Sequence, residues 1–362
     1  MTVKMPEIDI AFKQKAATLI ERSERGYAII IIEDETVDTP WKMYKEVTEL
    51  DDDKANYTGE NLQYLKDAFE FGTYRVCVAR ISSIQTVSNA LKIIEANSRT
   101  GWIVYPEGDT EAQQTIATWI KTKEKNKQTY KAITYKATTT DCKHVVNFVN
   151  EKVTFVDSRA EVDGNKYLAS LAGILASCNV EKGCTYFKCT NLEKVQAVDD
   201  NDTELGKGNF ILFNDVDVVR IAQGINSLTT LDGEDNTEDM QYIETVEAMD
   251  MMQDDIADVF KNEYLGNYKN KLDNQMLFIG SVNASYLESL EDIDVLDEEY
   301  DNNISIDVES QKKAWIASGK SEAADWDDAT VRRRTFKRNL YLAGDVKVLG
   351  SMTNLKLVIY LF

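Results

Sequence analysis

Hydrophobic and polar positions along this chain recur at two periods, and the switches between them lay out its elements. Pro6-Glu7-Ile8-Asp9-Ile10-Ala11-Phe12 alternates at strand period, and Asn354-Leu355-Lys356-Leu357-Val358-Ile359-Tyr360-Leu361-Phe362 also reads as a strand. Residues 1 to 22 are expected to form an extended arm that leads into a strand at Tyr27 to Glu33. A second strand-like stretch runs from Trp41 to Leu50. A regular series follows: a helix near Asn61 to Phe71, a strand at Tyr74 to Ala79, a helix at Val87 to Ala96 and a strand at Trp102 to Tyr105. The next helix opens at Thr110 with Gln113 as a capping box. The strand Lys131 to Tyr135, the helix Asp141 to Asn150, the strand Val153 to Val156 and the helix Lys166 to Cys178 complete the series. Short apolar strands alternating with longer helices predict βαβ units around a mostly parallel sheet.

Beyond Cys184 the pattern gives strands at Asn209 to Phe213 and Val216 to Ile221, with Asn214-Asp215 between them as a hairpin turn. An acidic stretch, Asp232 to Asp239, marks a domain boundary. Behind it Met240, Ile243, Val246, Met249, Ile256 and Phe260 line one face of a long helix. Further helices fall near Gln275 to Leu290 and Val308 to Ala317. The expected organisation is an arm over 1–22, an α/β core over 23–235, an α+β domain over 236–352 and a strand arm over 353–362.

The chain has 362 residues, enough for two or three domains. Its net charge of −21 argues against nucleic acid as a partner, because phosphate binding needs a basic surface. The same acidity keeps free copies soluble and mutually repelling. No signal peptide or membrane span is visible, and the apolar run Ala28 to Ile32 is far too short to span. Five cysteines without a secretion signal point to reduced thiols in a cytosolic setting.

The ends carry a resemblance. Pro6 to Ala16, followed by Glu21-Arg22-Ser23-Glu24-Arg25-Gly26-Tyr27-Ala28-Ile29-Ile30, resembles the opening of contractile tail sheath proteins. It is nearest to the small sheaths of myophage-like prophages and R-type bacteriocins of clostridia and bacilli. Asn339 to Val346 and Leu357 to Tyr360 are similar to that family's C-terminal domain. The resemblance implies an α/β core that is subtilisin-like in shape but non-catalytic, plus an α+β C-terminal domain with terminal strand-exchange arms. It implies a structural subunit: six copies ring an inner tail tube, rings stack helically, and the sleeve contracts to drive the tube through a cell envelope. Partners would be further copies of the chain, the tail tube protein, and baseplate and tail terminator proteins, with no nucleic acid and no membrane insertion. The particle, a phage tail or bacteriocin, would be assembled in the bacterial cytoplasm. Ile8, Ile10 and Phe12, with Leu355, Leu357, Ile359 and Leu361, are the expected intersubunit strand positions. The alternatives are another self-assembling tail component or an α/β enzyme.

Enzyme and metal chemistry find little support in the residues. The sole histidine, His144, would have to serve any Ser-His-Asp triad, yet there is no Gly-x-Ser-x-Gly elbow. Three residues after Asp141 in an expected helix, it reads as a surface or cap-adjacent residue. Cys142 with His144, and Cys178, Cys184 and Cys189, match no zinc ribbon or finger spacing, so they read as buried thiols. Gly206-Lys207-Gly208 lacks phosphate-loop spacing. Asp199-Asp200-Asn201-Asp202 and Asp232-Gly233-Glu234-Asp235 depart from the EF-hand order and read as solvated loops. No catalytic, cofactor or metal residues are therefore assigned.

One charge cluster opposes the overall sign. Arg332, Arg333, Arg334, Lys337 and Arg338 crowd a short segment, with Lys312 and Lys313 nearby in sequence. They either pair with acids such as Asp325, Asp327 and Asp328 or form an electrostatic seat for an acidic partner. The resemblance implies that this domain faces the tail tube, which makes them the candidate tube contacts. Strand alternation would split them between two faces.

Overall fold

The computed structural model describes residues 26–361 apart from 179, 181, 234 and 235. They gather into two compact units, residues 26–247 with 350–361, and residues 248–349.

In the first unit Tyr27–Glu33 forms β1, a strand whose interior residues Ala28 to Ile32 are all buried. Such a run suits a strand covered on both faces, and the sheet supplies that setting. β1 pairs in parallel with β3 (Arg75–Ile81) on one side and with β4 (Gly101–Val104) on the other. The sheet continues through β5 (Tyr130–Tyr135), β6 (Val145–Phe148) and β10 (Asn209–Phe210), all parallel. At the opposite edge β2 (Trp41–Tyr44) is antiparallel to β3. The order is β10-β6-β5-β4-β1-β3-β2.

Alternate residues of each strand serve opposite cores. Ile29 and Ile31 pack with Cys77, Ala79 and Ile103 against the apolar faces of two helices, α3 (Val87–Asn97) and α4 (Thr110–Lys125). Ile30 and Ile32 join Val76, Val78 and Val104 beneath α2 (Gly59–Phe69) and α5 (Leu168–Ser177). The expected mostly parallel α/β sheet is present, with helices on both faces. β7 (Lys152–Phe155), β8 (Glu161–Asp163) and β9 (Leu192–Val195) make a small antiparallel sheet, after which comes the short helix α6 (Asn201–Gly206). β11 (Leu212–Asp215) and β12 (Val218–Ile221) form the expected hairpin, but its turn falls at Val216-Asp217, with Val216 at φ 54°.

Three local expectations fail for identifiable reasons. The stretch from Trp41 is a strand only to Tyr44. Glu49 accepts the Lys45 N–H at 2.8 Å, and helix α1 (Val47–Asp52) follows. The helix at Thr110 is capped one residue earlier, by Asp109 accepting from Ala112 N at 2.8 Å. Gln113 instead donates to the Tyr105 and Gly108 carbonyls. Asp141 to Asn150 is not a helix but a turn leading into β6. Asp141 stands at φ 31° and its carboxylate accepts the Thr229 and Thr230 N–H groups, which directs the chain into the sheet.

The second unit contains the end of α7 (Ile243–Val259), then α8 (Leu272–Ser281), which continues through a π-turn into α9 (Glu288–Glu291). β13 (Asn303–Ile306) pairs antiparallel with β14 (Leu342–Asp345). Between them α10 (Val308–Ala317) buries Gln311, whose amide donates to the Val331 carbonyl at 2.7 Å. Trp315 packs edge-on against Trp326 and Phe336. The expected terminal strand at 354–362 is not a strand: residues 349–361 carry no helix or sheet, and residue 362 is outside the described residues. The N-terminal arm, with Ile8, Ile10 and Phe12, also lies outside them.

Two features of the first unit set its stability. Asp34, just past β1, accepts from Thr36 N, Thr58 N, the Asn61 amide and Arg80, the last at 3.0 Å. Burial works to raise its carboxyl, but the donors from Thr36, Thr58 and Asn61 outweigh it and hold the group below the usual range. Asp34→Ala leaves Arg80 charged and buried, with an expected loss of about 3 kcal/mol in urea unfolding at neutral pH. A carboxyl depressed by folding contributes fully above its unfolded pKa, about 3.9, and loses that contribution as pH falls through the folded value. The gap between wild type and variant should therefore shrink in strong acid; a gap that stays constant would refute the assignment. The second feature is Gly173, where a Cβ would sit 2.4 Å from the Ala68 carbonyl oxygen. Gly173→Ala should cost about 1–3 kcal/mol by overpacking. Gly59→Ala, with open space around it, should stabilise by about 0.5–1 kcal/mol. Equal midpoints for the two variants would contradict this packing.

Candidate functional site

A doubly wound sheet offers its ligand crevice at the carboxyl ends of the strands where the order reverses, here β1 and β4. This chain fills that position with its own side chains. Lys166 bridges Glu60, at 2.8 Å, and Glu107. Tyr64, 3% exposed, donates to both carboxylates, and burial together with them pushes its hydroxyl far above the usual range. The ion-paired plug ties α2 to the loops after β4 and before α5.

A second constellation gathers around the single histidine. A turn closed by Val145 N–H to the Cys142 carbonyl brings Cys142 and His144 to one side. Both are buried, at 3% and 5% exposure, so the surface position expected for His144 is wrong. Its helix does not exist, and the residue enters β6 beneath α4. Glu124, in the last turn of α4, meets both. Its Oε2 lies 2.7 Å from His144 Nδ1 and accepts from Cys142 Sγ at 3.0 Å. Burial would raise the Glu124 carboxyl, yet its bonds to His144 and Cys142 hold it low. Burial and that carboxylate push the Cys142 thiol upward. Sequence spacing found Cys142 and His144 but missed Glu124, which arrives from another element. The remaining cysteines are free thiols, three of them buried and Cys178 partly so.

The assembly candidates lie elsewhere. In residues 352–361, among the described residues, no backbone group joins a backbone hydrogen bond. Leu355, Leu357, Ile359 and Leu361 are exposed by 87%, 69%, 72% and 94%. Ser351 is the last anchored residue, its N–H and hydroxyl both bonded to Glu244.

The basic residues sit at the end of a short helix, α11 (Asp328–Arg333), and in the irregular turn after it, rather than on a strand. Arg332, Arg333, Arg334, Lys337 and Arg338 are exposed, and among the described residues none forms an ion pair within 4.0 Å. Arg334 lies over the Trp326 ring at 4.4 Å and Lys337 over Phe336 at 5.0 Å. Lys312 donates to the Trp326 carbonyl at 2.8 Å, and Lys313 pairs with Glu309. The helix end and the turn therefore carry exposed positive charge, two members of it backed by aromatic rings.

Comparison with known proteins places these features in context. Residues 235–362 match the family model of the phage tail sheath C-terminal domain. A tail sheath protein of Clostridium phage phiCD119 is 28% identical, the alignment covering 97% of both chains. Among solved structures, a sheath tail protein of Listeria innocua superimposes with a TM-score of 0.68 at 14% identity, over 82% of this chain and 92% of that one. The helical sheath of the anti-feeding prophage in its contracted state gives 0.68 at 9% identity, over 93% of each chain. At such identities the structural likenesses speak for the fold.

Proposed function

We infer that this chain, a relative of phage tail sheath proteins, is the structural subunit of a contractile tail sheath. The observation that carries the reading is the likeness to a phage tail sheath protein along nearly the whole of both chains. In its finer form, six copies ring an inner tail tube and the rings stack into a helical sleeve. The sleeve shortens on a signal from the baseplate and drives the tube through a cell envelope. Terminator and baseplate proteins would bound its two ends. Its work would be stored as a difference in intersubunit contacts between two packings of one chain. The mostly parallel core with helices on both faces supports the subtilisin-like shape of that family's core. Electron microscopy of the purified chain with its tube protein tests the reading. Sleeves around tubes are expected, and small discrete particles at every concentration would overturn it.

The strand-exchange element of this proposal rests on the exposed carboxyl-terminal segment. Unpaired strand edges with apolar side chains seek a partner edge on another copy. Deleting residues 354–362 should leave a folded monomer with unchanged circular dichroism that no longer polymerises. Deleting residues 1–14 should do the same. Sleeves of normal length from either deletion would count against exchange.

The tube contact is assigned to the basic turn. Exposed charge pairs contribute about 1 kcal/mol or less each and are screened by salt, which suits a grip that must be released. Arg334 and Lys337 are engaged by rings, so Arg332, Arg333 and Arg338 are the members freest to reach an acidic tube. Reversing these three to Glu should yield sheath polymers lacking tube alongside naked tubes. Full-length tails from the triple variant, still holding tube in high salt, would place the contact elsewhere.

A further inference from the structure

We propose that Glu124, Cys142 and His144 form a binding site for a divalent transition-metal ion of the zinc type. One Glu124 oxygen, Cys142 Sγ and His144 Nδ1 lie within 4.8 Å of one another, a compass that one ion bonded to all three can span. The donor set selects the ion. A thiolate, an imidazole nitrogen and a carboxylate together suit zinc and its neighbours, whereas calcium and magnesium take oxygen ligands. The fourth ligand would be a water on the Glu124 side, where that side chain is 27% exposed.

The surroundings hold the three groups in place before any ion arrives. Cys142 and His144 are fixed by the Cys142–Val145 turn, by Ser227, whose hydroxyl donates to the Cys142 carbonyl, and by Ala132, whose N–H donates to that of His144. Asp141 tethers the same turn through Thr229 and Thr230. Glu124 is supplied by a regular helix of 16 residues, near its carboxyl end. A carboxylate there adds to the partial negative charge of the helix terminus, so the position favours a cation. Lys121 and Lys143 oppose it, but Lys121 is drawn to the Thr139 carbonyl at 3.0 Å.

Charge balance is kept when the ion replaces the protons. Without it, Glu124 Oε2 meets both the Cys142 S–H and His144 Nδ1. On binding, the S–H proton leaves, any proton on Nδ1 is lost or moved to the other ring nitrogen, and metal–sulfur, metal–nitrogen and metal–oxygen bonds form. Thiolate, carboxylate and a doubly charged cation then sum to zero in a buried place. No electron is transferred. The bound ion would clip the end of α4 to the start of β6 and stiffen the core.

Cobalt(II) titration of the reduced, chelator-treated full chain tests this. The expected result is one cobalt per chain with tetrahedral visible bands and a sulfur-to-cobalt charge-transfer band, both abolished by added zinc. Cys142→Ser should remove the charge-transfer band. Glu124→Gln and His144→Gln should weaken binding at least ~10-fold, the loss that even outer partners of a metal site cause. Cys178→Ala should leave the spectrum unchanged. Circular dichroism and urea midpoints in chelator establish that each variant folds. Should Cys142→Ser fail to fold, Glu124→Gln and the zinc-induced rise in melting temperature of wild type decide the matter. Cobalt bound without a sulfur band, a band that survives Cys142→Ser, or a zinc-induced rise equal in wild type and Glu124→Gln would each overturn the site. Adventitious binding to the acidic surface gives the first of these outcomes.

Discussion

The first unit depends on one strand being buried from both sides. β1 contributes four consecutive isoleucines, Ile29 to Ile32, each at most 1% exposed, and adjacent members point into different cores. Burying one such side chain stabilises by about 1.5–3 kcal/mol, so the run alone matches a large share of a typical domain's net stability. It also imposes topology. A strand apolar on both faces must lie in the interior of the sheet, between β3 and β4, with helices above and below. The Asp34 cluster then terminates it, the carboxylate accepting from Thr36, Thr58, Asn61 and Arg80.

The same topology bears on chemistry. Central placement of β1 creates the reversal of strand order at which related architectures hold ligands. Here Lys166, Glu60, Glu107 and Tyr64 occupy that place, and α2 and α5 approach closely over Gly173. That position is bridged by ion pairs between α2, the loop after β4 and the segment before α5. On the sheath reading, the working surfaces are then the exterior and the exposed carboxyl-terminal segment.

Much of this was legible in the sequence because the elements concerned have unambiguous periods. β1, α3 and α10 fall within one residue of where apolar spacing puts them. Residues 141–150 were misread because Cys142, Val145, Val146, Phe148 and Val149 satisfy helical spacing as well as a doubly buried strand. Only the parallel neighbours β5 and β10 decide between them, and neighbours are not a property of the segment. Glu124 was invisible for the same reason, since its meeting with Cys142 and His144 depends on how α4 packs. The basic residues were legible as a cluster but not as a turn, because Trp315, Trp326 and Phe336 set the local backbone.

The exposed carboxyl-terminal segment and the acidic surface form an opposed pair. Four alternate side chains, Leu355, Leu357, Ile359 and Leu361, lie mostly in solvent, and burying each on a partner edge would gain about 2 kcal/mol. A chain of charge −21 resists that approach, because like-charged copies repel over about 8–10 Å at physiological salt. The two terms differ in range. Repulsion acts at a distance and slows unguided encounters, whereas strand pairing acts only on contact and is retained once formed. On the sheath reading, growth would then favour sites where a positive surface offsets the repulsion, and the concentrated positive charge lies at Arg332 to Arg338. An acidic chain with an exposed apolar segment would in this way remain dispersed until a template gathers it.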